Sequence, residues 1–177
     1  MMISMRNGFF GAVLAVAAAG CGQPSAAPPL QATKENSGAE NALLKERPAD
    51  AKPVADVRDA ARDGGEVTIL GRIGGSSNPW VEGRAAFAII DPKVPPCHPD
   101  EGCPTPWDYC CVTDQLPANR ALIKVVDAAG ETIEQDARKL LGVKELQTVV
   151  AKGTARRDEA GNLTVLATGV FIVPETP

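Results

Sequence analysis

The sequence predicts an all-β fold: a small five-stranded antiparallel barrel with one short helix and a cysteine-rich insert between strands 2 and 3. Three observations predict it. Short apolar segments follow one another between residues 67 and 173, with turn residues around them. Only one segment in that span has helical spacing, so there are too few crossover helices for parallel pairing throughout. A closed ring also removes the exposed strand edges that a small open sheet would present. Aromatic residues make up only 4% of the chain, so the core must be aliphatic.

The elements read in order. Val67-Thr-Ile-Leu-Gly-Arg-Ile73 alternates and then reaches Gly74-Gly75, a strand and its turn. Ala85-Ala-Phe-Ala-Ile-Ile90 is a second apolar strand, stopped by Asp91-Pro92, and Ala121-Leu-Ile-Lys-Val-Val126 is a third. Asp136 to Leu141 sets Ala137, Leu140 and Leu141 on one side at helical spacing, with Gly142 as a stop. Leu146 to Arg156 and Leu163 to Val173 are the fourth and fifth strands, joined by Asp158-Glu-Ala-Gly-Asn162, which has hairpin-turn chemistry. Val67, Ile69, Phe87, Ile89, Ile123, Val125, Leu140, Val149 and Val165 are the expected core.

Three strands, a helix and two strands is an order that resembles the OB-fold, a five-stranded barrel with its helix between strands three and four. Val67-Thr-Ile-Leu-Gly-Arg-Ile73 and Val149-Val-Ala-Lys-Gly-Thr-Ala155 look like its first and fourth strands, each with a mid-strand glycine that eases a sharp coil. The resemblance covers residues 66–173.

The N-terminus carries an address. A basic head (Arg6), an apolar run (Gly8 to Ala19) and small residues before Cys21 have the layout of a cleavable signal, and the run is too short to span a bilayer. The ending Ala-Gly-Cys resembles the lipobox of bacterial lipoproteins, although Ala18 stands where that family usually has Leu. The resemblance implies that Cys21 is lipidated, by palmitate among other chains, and becomes the mature N-terminus. The expected organisation is a signal peptide over 1–20, a flexible tether over 21–64 and the barrel over 65–174, with the insert at 91–118. Pro24, Pro28, Pro29, Pro48 and Pro53 punctuate a tether poor in large apolar residues. Within it, Val54 to Arg62 is expected as a solvated, transient helix.

The insert is far longer than a hairpin loop requires. It reads Cys97-His98-Pro-Asp-Glu-Gly-Cys103-Pro-Thr-Pro-Trp-Asp-Tyr-Cys110-Cys111 and is acidic, with Asp91, Asp100, Glu101, Asp108 and Asp114 against Lys93. Cys-Pro-Thr-Pro-Trp-Asp-Tyr-Cys-Cys is similar to an insert of other bacterial lipoproteins, a resemblance that implies no activity. Two chemistries compete for its four cysteines. In an exported chain their even number favours two disulfides, with Cys97 and Cys103 each joined to one of the vicinal pair Cys110 and Cys111. Alternatively, Cys97, Cys103, Cys110 and Cys111 with His98, the single histidine, could ligate zinc or copper. The spacing matches no common zinc pattern, since no Cys-x-x-Cys is present.

Several function classes are excluded. The formal net charge of −4 weakens any nucleic-acid reading. No Gly-x-Ser-x-Gly turn and no phosphate-binding glycine loop opens a helix. No enzymatic activity and no cofactor is therefore expected. The expectation is a non-enzymatic binding module in the bacterial cell envelope, lipid-anchored to a membrane and facing the periplasm or exterior. Its partner would be an envelope protein or a glycan, contacted through Trp80, Trp107 and Tyr109, amphipathic side chains of the kind concentrated at binding surfaces. A metal-binding or redox role for the Cys/His insert is the alternative.

Overall fold

Five strands close on themselves. The computed structural model describes residues 42–98, 100 and 102–175; the signal peptide, Cys21 and the first part of the tether lie outside them. The described elements are β1 (Lys52–Pro53), α1 (Val54–Ala60), β2 (Glu66–Ile73), β3 (Ala86–Ile90), 3-10 turns at Pro106–Asp108 and Cys110–Gln115, α2 (Leu116–Asn119), β4 (Arg120–Val125), α3 (Ala137–Leu141), β5 (Thr148–Arg157) and β6 (Leu163–Ile172). The sheet runs β2-β3-β4-β6-β5 and closes through β2–β5, with β1 added beside β2. This small closed five-stranded barrel with a short helix between β4 and β5 is compatible with an OB-like fold.

The barrel is mixed rather than purely antiparallel. β4 and β6 pair in parallel, Leu122 against Thr164 through Val125 against Ala167, and β1 is parallel to β2. The reason is topological. Strand direction cannot alternate all the way round a ring with an odd number of members, so a closed five-stranded barrel must contain at least one parallel pair. That pair falls where the chain has α3 and β5 available as the crossover.

The core follows the alternation. Ile69, Phe87, Ile89, Ile123, Val125, Val149 and Val165 are fully buried, as the pattern predicts. Val67 is only partly buried, and α3 turns Ala137 and Leu141 inward, leaving Leu140 at its flank. Gly153 marks a bulge in β5 opposite β6. A Cβ there would stand 2.0 Å from the Leu166 carbonyl oxygen, so only glycine lets the two strands approach this closely.

The segment expected as a solvated tether is partly built into the domain. β2 pairs with β3 over only two residues, Arg72 and Ile73, which leaves its first half free on that side. β1 takes the side that β3 vacates, with Lys52 opposite Ile69 and Pro53 opposite Leu70. The chain then enters α1, whose Val54 (0% exposed) and Val57 (3%) join the core. Two apolar residues three apart are enough to give a seven-residue helix an inner face, which the short length and polar neighbours conceal. The buried carboxylate of Asp91 fixes its start, accepting from the Ala55 N–H at 2.8 Å and the Lys93 N–H at 3.0 Å. Arg58 donates to the Arg120 and Gly161 carbonyls, so α1 lies across the end of the barrel where β4 and β6 begin. No helix among the described residues is long and apolar enough to cross a membrane.

Candidate functional site: a four-sulfur cluster

Between β3 and β4 the chain folds back over the barrel and brings four cysteines together. The Sγ atoms of Cys97, Cys103, Cys110 and Cys111 all lie within 4.8 Å of one another. Cys103 Sγ is 3.2 Å from Cys110 and 3.6 Å from Cys111, and Cys97 Sγ is 3.5 Å from Cys110. Cys110 and Cys111 are 3.8 Å apart. No disulfide joins these four cysteines: the shortest of these separations, 3.2 Å, is far above the ~2.05 Å of an S–S bond.

The loop sequence explains how neighbouring cysteines point into one cluster. Pro106 opens a 3-10 turn that ends at Tyr109, whose backbone is left-handed (φ 59°, ψ 32°), and a second 3-10 turn starts at Cys110. Val112 then breaks helical geometry (φ −138°). These two departures swing both vicinal sulfurs to the same side. Asp108 sets the turn: one carboxylate oxygen accepts from the Cys110 N–H at 2.9 Å, and the other accepts from the Thr105 hydroxyl at 2.7 Å. The Cys97 N–H donates to the Pro106 carbonyl at 3.1 Å, which draws the distant first cysteine onto the same loop.

A left-handed tyrosine is costly, on the order of 1–3 kcal/mol. Burial of its ring offsets the strain. Tyr109 is 0% exposed and packs with Ile90 and Val94 in a second apolar cluster, outside the barrel core. Gly74 makes room for it. A Cβ on Gly74 would meet the Trp107 carbonyl oxygen at 2.6 Å and Tyr109 Cε2 at 2.8 Å. Gly75 (φ +94°) donates its N–H to the same Trp107 carbonyl at 2.8 Å, and the Trp107 indole N–H reaches the Ser77 carbonyl at 3.1 Å. The Gly74-Gly75 turn is thus the seat of the cysteine loop.

The clustered thiols perturb one another in opposite directions. Burial alone would push the Cys97 thiol up, but hydrogen bonds from Cys111, Cys110 and Cys103 outweigh it and the net direction is down. Cys110 is pushed up to about 12, by its hydrogen bonds to Cys103 first and then to Cys97 and Asp108. Asp108 lies below the usual carboxylate range, held there mainly by Thr105 and then by the Cys110 amide. Sulfur binds a soft cation as thiolate, so a cation held here would take the place of thiol protons and its uptake would release them.

The other expected site residues sort differently. His98 is not among the mutually close ligands; its Nδ1 lies 3.2 Å from the Asp100 carboxylate. Tyr109 is an internal strut and presents no ring to a partner. Trp80 (7% exposed) packs on Phe87, donates its indole N–H to Glu145 at 2.6 Å and lies under the Arg138 guanidinium, 5.4 Å from its centroid. Of the three aromatics proposed for a partner, only Trp107 keeps part of its surface outside. Asp108, Thr105 and Gly74 are site residues that sequence reasoning passed over. An Asp two residues before a cysteine carries the Asx-turn signal that could have identified the first of them.

No protein-family model matches the chain, and no curated protein matches it.

Proposed function

We propose that the protein is an exported, lipid-anchored barrel module that holds one thiophilic d10 cation, zinc in the first place, between Cys97, Cys103, Cys110 and Cys111. The sulfur spacing carries the reading. Four thiolates about 2.3 Å from a central zinc stand about 3.8 Å apart in a regular tetrahedron. Four of the Sγ pairs here span 3.2 to 3.8 Å, and all lie within 4.8 Å. All-sulfur donors suit zinc and copper(I) and reject hard cations such as calcium. His98 is dropped from the ligand set on the geometry above. The ring order, its parallel β4–β6 pair and the helix before β5 support an OB-like barrel as the scaffold. In that fold a ligand face forms on the second and third strands; here the cysteine loop covers Ile90 and leaves all five residues of β3 buried. Capture of a protein or glycan would have to use Trp107 and the loop itself.

The address belongs to the same proposal. The lipobox-like ending places Cys21 at the mature N-terminus, lipidated and anchoring the module in the bacterial envelope. Intact mass of membrane-extracted protein is expected to show a chain that begins at Cys21 and carries acyl groups; a soluble chain retaining residues 1–20 would refute it.

Metal content and thiol count of the purified full chain test the metal reading. We expect one zinc per chain, protected from thiol reagents, and four titratable thiols once a chelator removes it. One copper in place of zinc would reassign the ion but keep the site. Zero thiols, no metal and a four-hydrogen mass gain on reduction would restore the two-disulfide reading and reject this one.

A further inference from the structure

We infer that the sulfur cluster is an exchange site: it passes its ion to, and receives it from, a dithiol-bearing partner by way of Cys110 and Cys111, while Cys97 is the last ligand to let go. The inference rests on the metal reading above and adds what the site does with the ion.

The four sulfurs are unequally sheltered. Cys97 is 4% exposed, Cys103 is half-buried, and Cys110 and Cys111 are both exposed. A sealed structural site surrounds its metal–sulfur bonds with protein, so an incoming ligand cannot approach and the ion leaves only by spontaneous dissociation. Here two of the four bonds would face solvent, and they belong to adjacent residues. Cys97, by contrast, is pinned through its own N–H to the Pro106 carbonyl at 3.1 Å, on a loop seated against Gly74 and Gly75.

Adjacency gives the two exposed sulfurs a shared hinge. Their geometry depends on the left-handed backbone of Tyr109 before them and the non-helical Val112 after them. The Tyr109 side chain, 0% exposed and seated against Gly74, fastens the loop by contacts that do not involve the sulfurs of Cys110 and Cys111. The step is a ligand substitution. An arriving thiolate forms one metal–sulfur bond as the bond to Cys110 or Cys111 breaks, and the displaced thiolate takes a proton from solvent. A second substitution leaves the ion shared between Cys97 and Cys103 on one side and the partner's two thiolates on the other. Two further thiolates or water molecules then displace Cys103 and last Cys97, each displaced thiolate takes a proton from solvent, and the ion leaves with the partner. No electron moves, so neither the ion nor the sulfurs change oxidation state.

The test is the rate at which the zinc-loaded full chain loses zinc to a small dithiol, measured over a wide range of dithiol concentration. The expected result is a rate that rises in proportion to dithiol concentration without reaching a plateau, the signature of attack on the bound ion. A rate independent of dithiol concentration would overturn the exchange role and leave a sealed structural zinc. A chain that binds no zinc at all would remove the metal reading itself, so the two failures are distinct. A pair of variants assigns the ends of the site. Cys97→Ser should weaken zinc retention by about tenfold more than Cys111→Ser, and Cys111→Ser should speed transfer to the dithiol. Equal effects of the two substitutions on retention would contradict the division into anchoring and leaving ligands.

Discussion

Gly74 decides how closely the cysteine loop approaches the barrel. Gly74→Ala would place a methyl group 2.6 Å from the Trp107 carbonyl, a backbone atom that cannot swing aside. Overpacking of this kind costs about 1–3 kcal/mol. We expect Gly74→Ala to lower stability by that amount in chemical denaturation and to weaken zinc binding, since the same shift moves Cys110 and Cys111. A second residue-scale prediction concerns Asp136. It caps α3 by accepting from the Arg138 N–H at 2.9 Å, and the Arg138 guanidinium holds its pKa at about 2, against an ordinary 3.8. Its folded pKa is depressed, so its stabilising effect is complete above about pH 4, fades as pH falls through 2 and is absent below. Asp136→Ala should therefore cost about 1 kcal/mol at pH 7, and the difference from wild type should shrink as pH falls through 2 and vanish below it in paired denaturation curves. A cost undiminished well below pH 2 would mean the carboxylate acts by something other than its charge.

At the scale of elements, the strands were legible because alternation and turn residues agree. Val67–Ile73, Ala85–Ile90 and the last two strands fall within a residue or two of their observed bounds. Two things were not legible. One is the parallel β4–β6 pair, which follows from closing an odd ring and leaves no mark on local sequence. The other is α1, whose inner face consists of Val54 and Val57 among residues typical of a linker. Asp91, 36 positions away, supplies its cap, and such a partner cannot be read from the helix itself. The domain therefore starts before residue 65. A chain truncated to 65–177 should be less stable than one spanning 42–177 by about 3–6 kcal/mol, since two fully buried valines contribute roughly 1.5–3 kcal/mol each. Thermal unfolding of the two chains checks this; equal stability would show that β1 and α1 are dispensable.

For the molecule as a whole, the sequence revealed where the chemistry lies but not which chemistry. Cys97, Cys103, Cys110 and Cys111 stood out by number and proximity, and an even count behind an N-terminus that reads as an export signal argued for disulfides. What the spacing concealed is the pair of backbone reversals at Tyr109 and Val112, which let vicinal sulfurs share a centre that an ordinary turn would deny them. Trp and Tyr beside cysteines suggest a binding surface, and local sequence does not show that the Tyr109 ring is buried in seating the loop. The barrel then serves as a rigid platform, with α1 across one end and the sulfur cluster on a loop that covers the outside of β3. X-ray absorption at the metal edge of the purified full chain tests this account most directly. The account predicts four sulfur scatterers at about 2.3 Å around one zinc. Nitrogen or oxygen ligands in place of two or more sulfurs, or a chain whose cysteines are all in disulfides and which carries no metal, would contradict it.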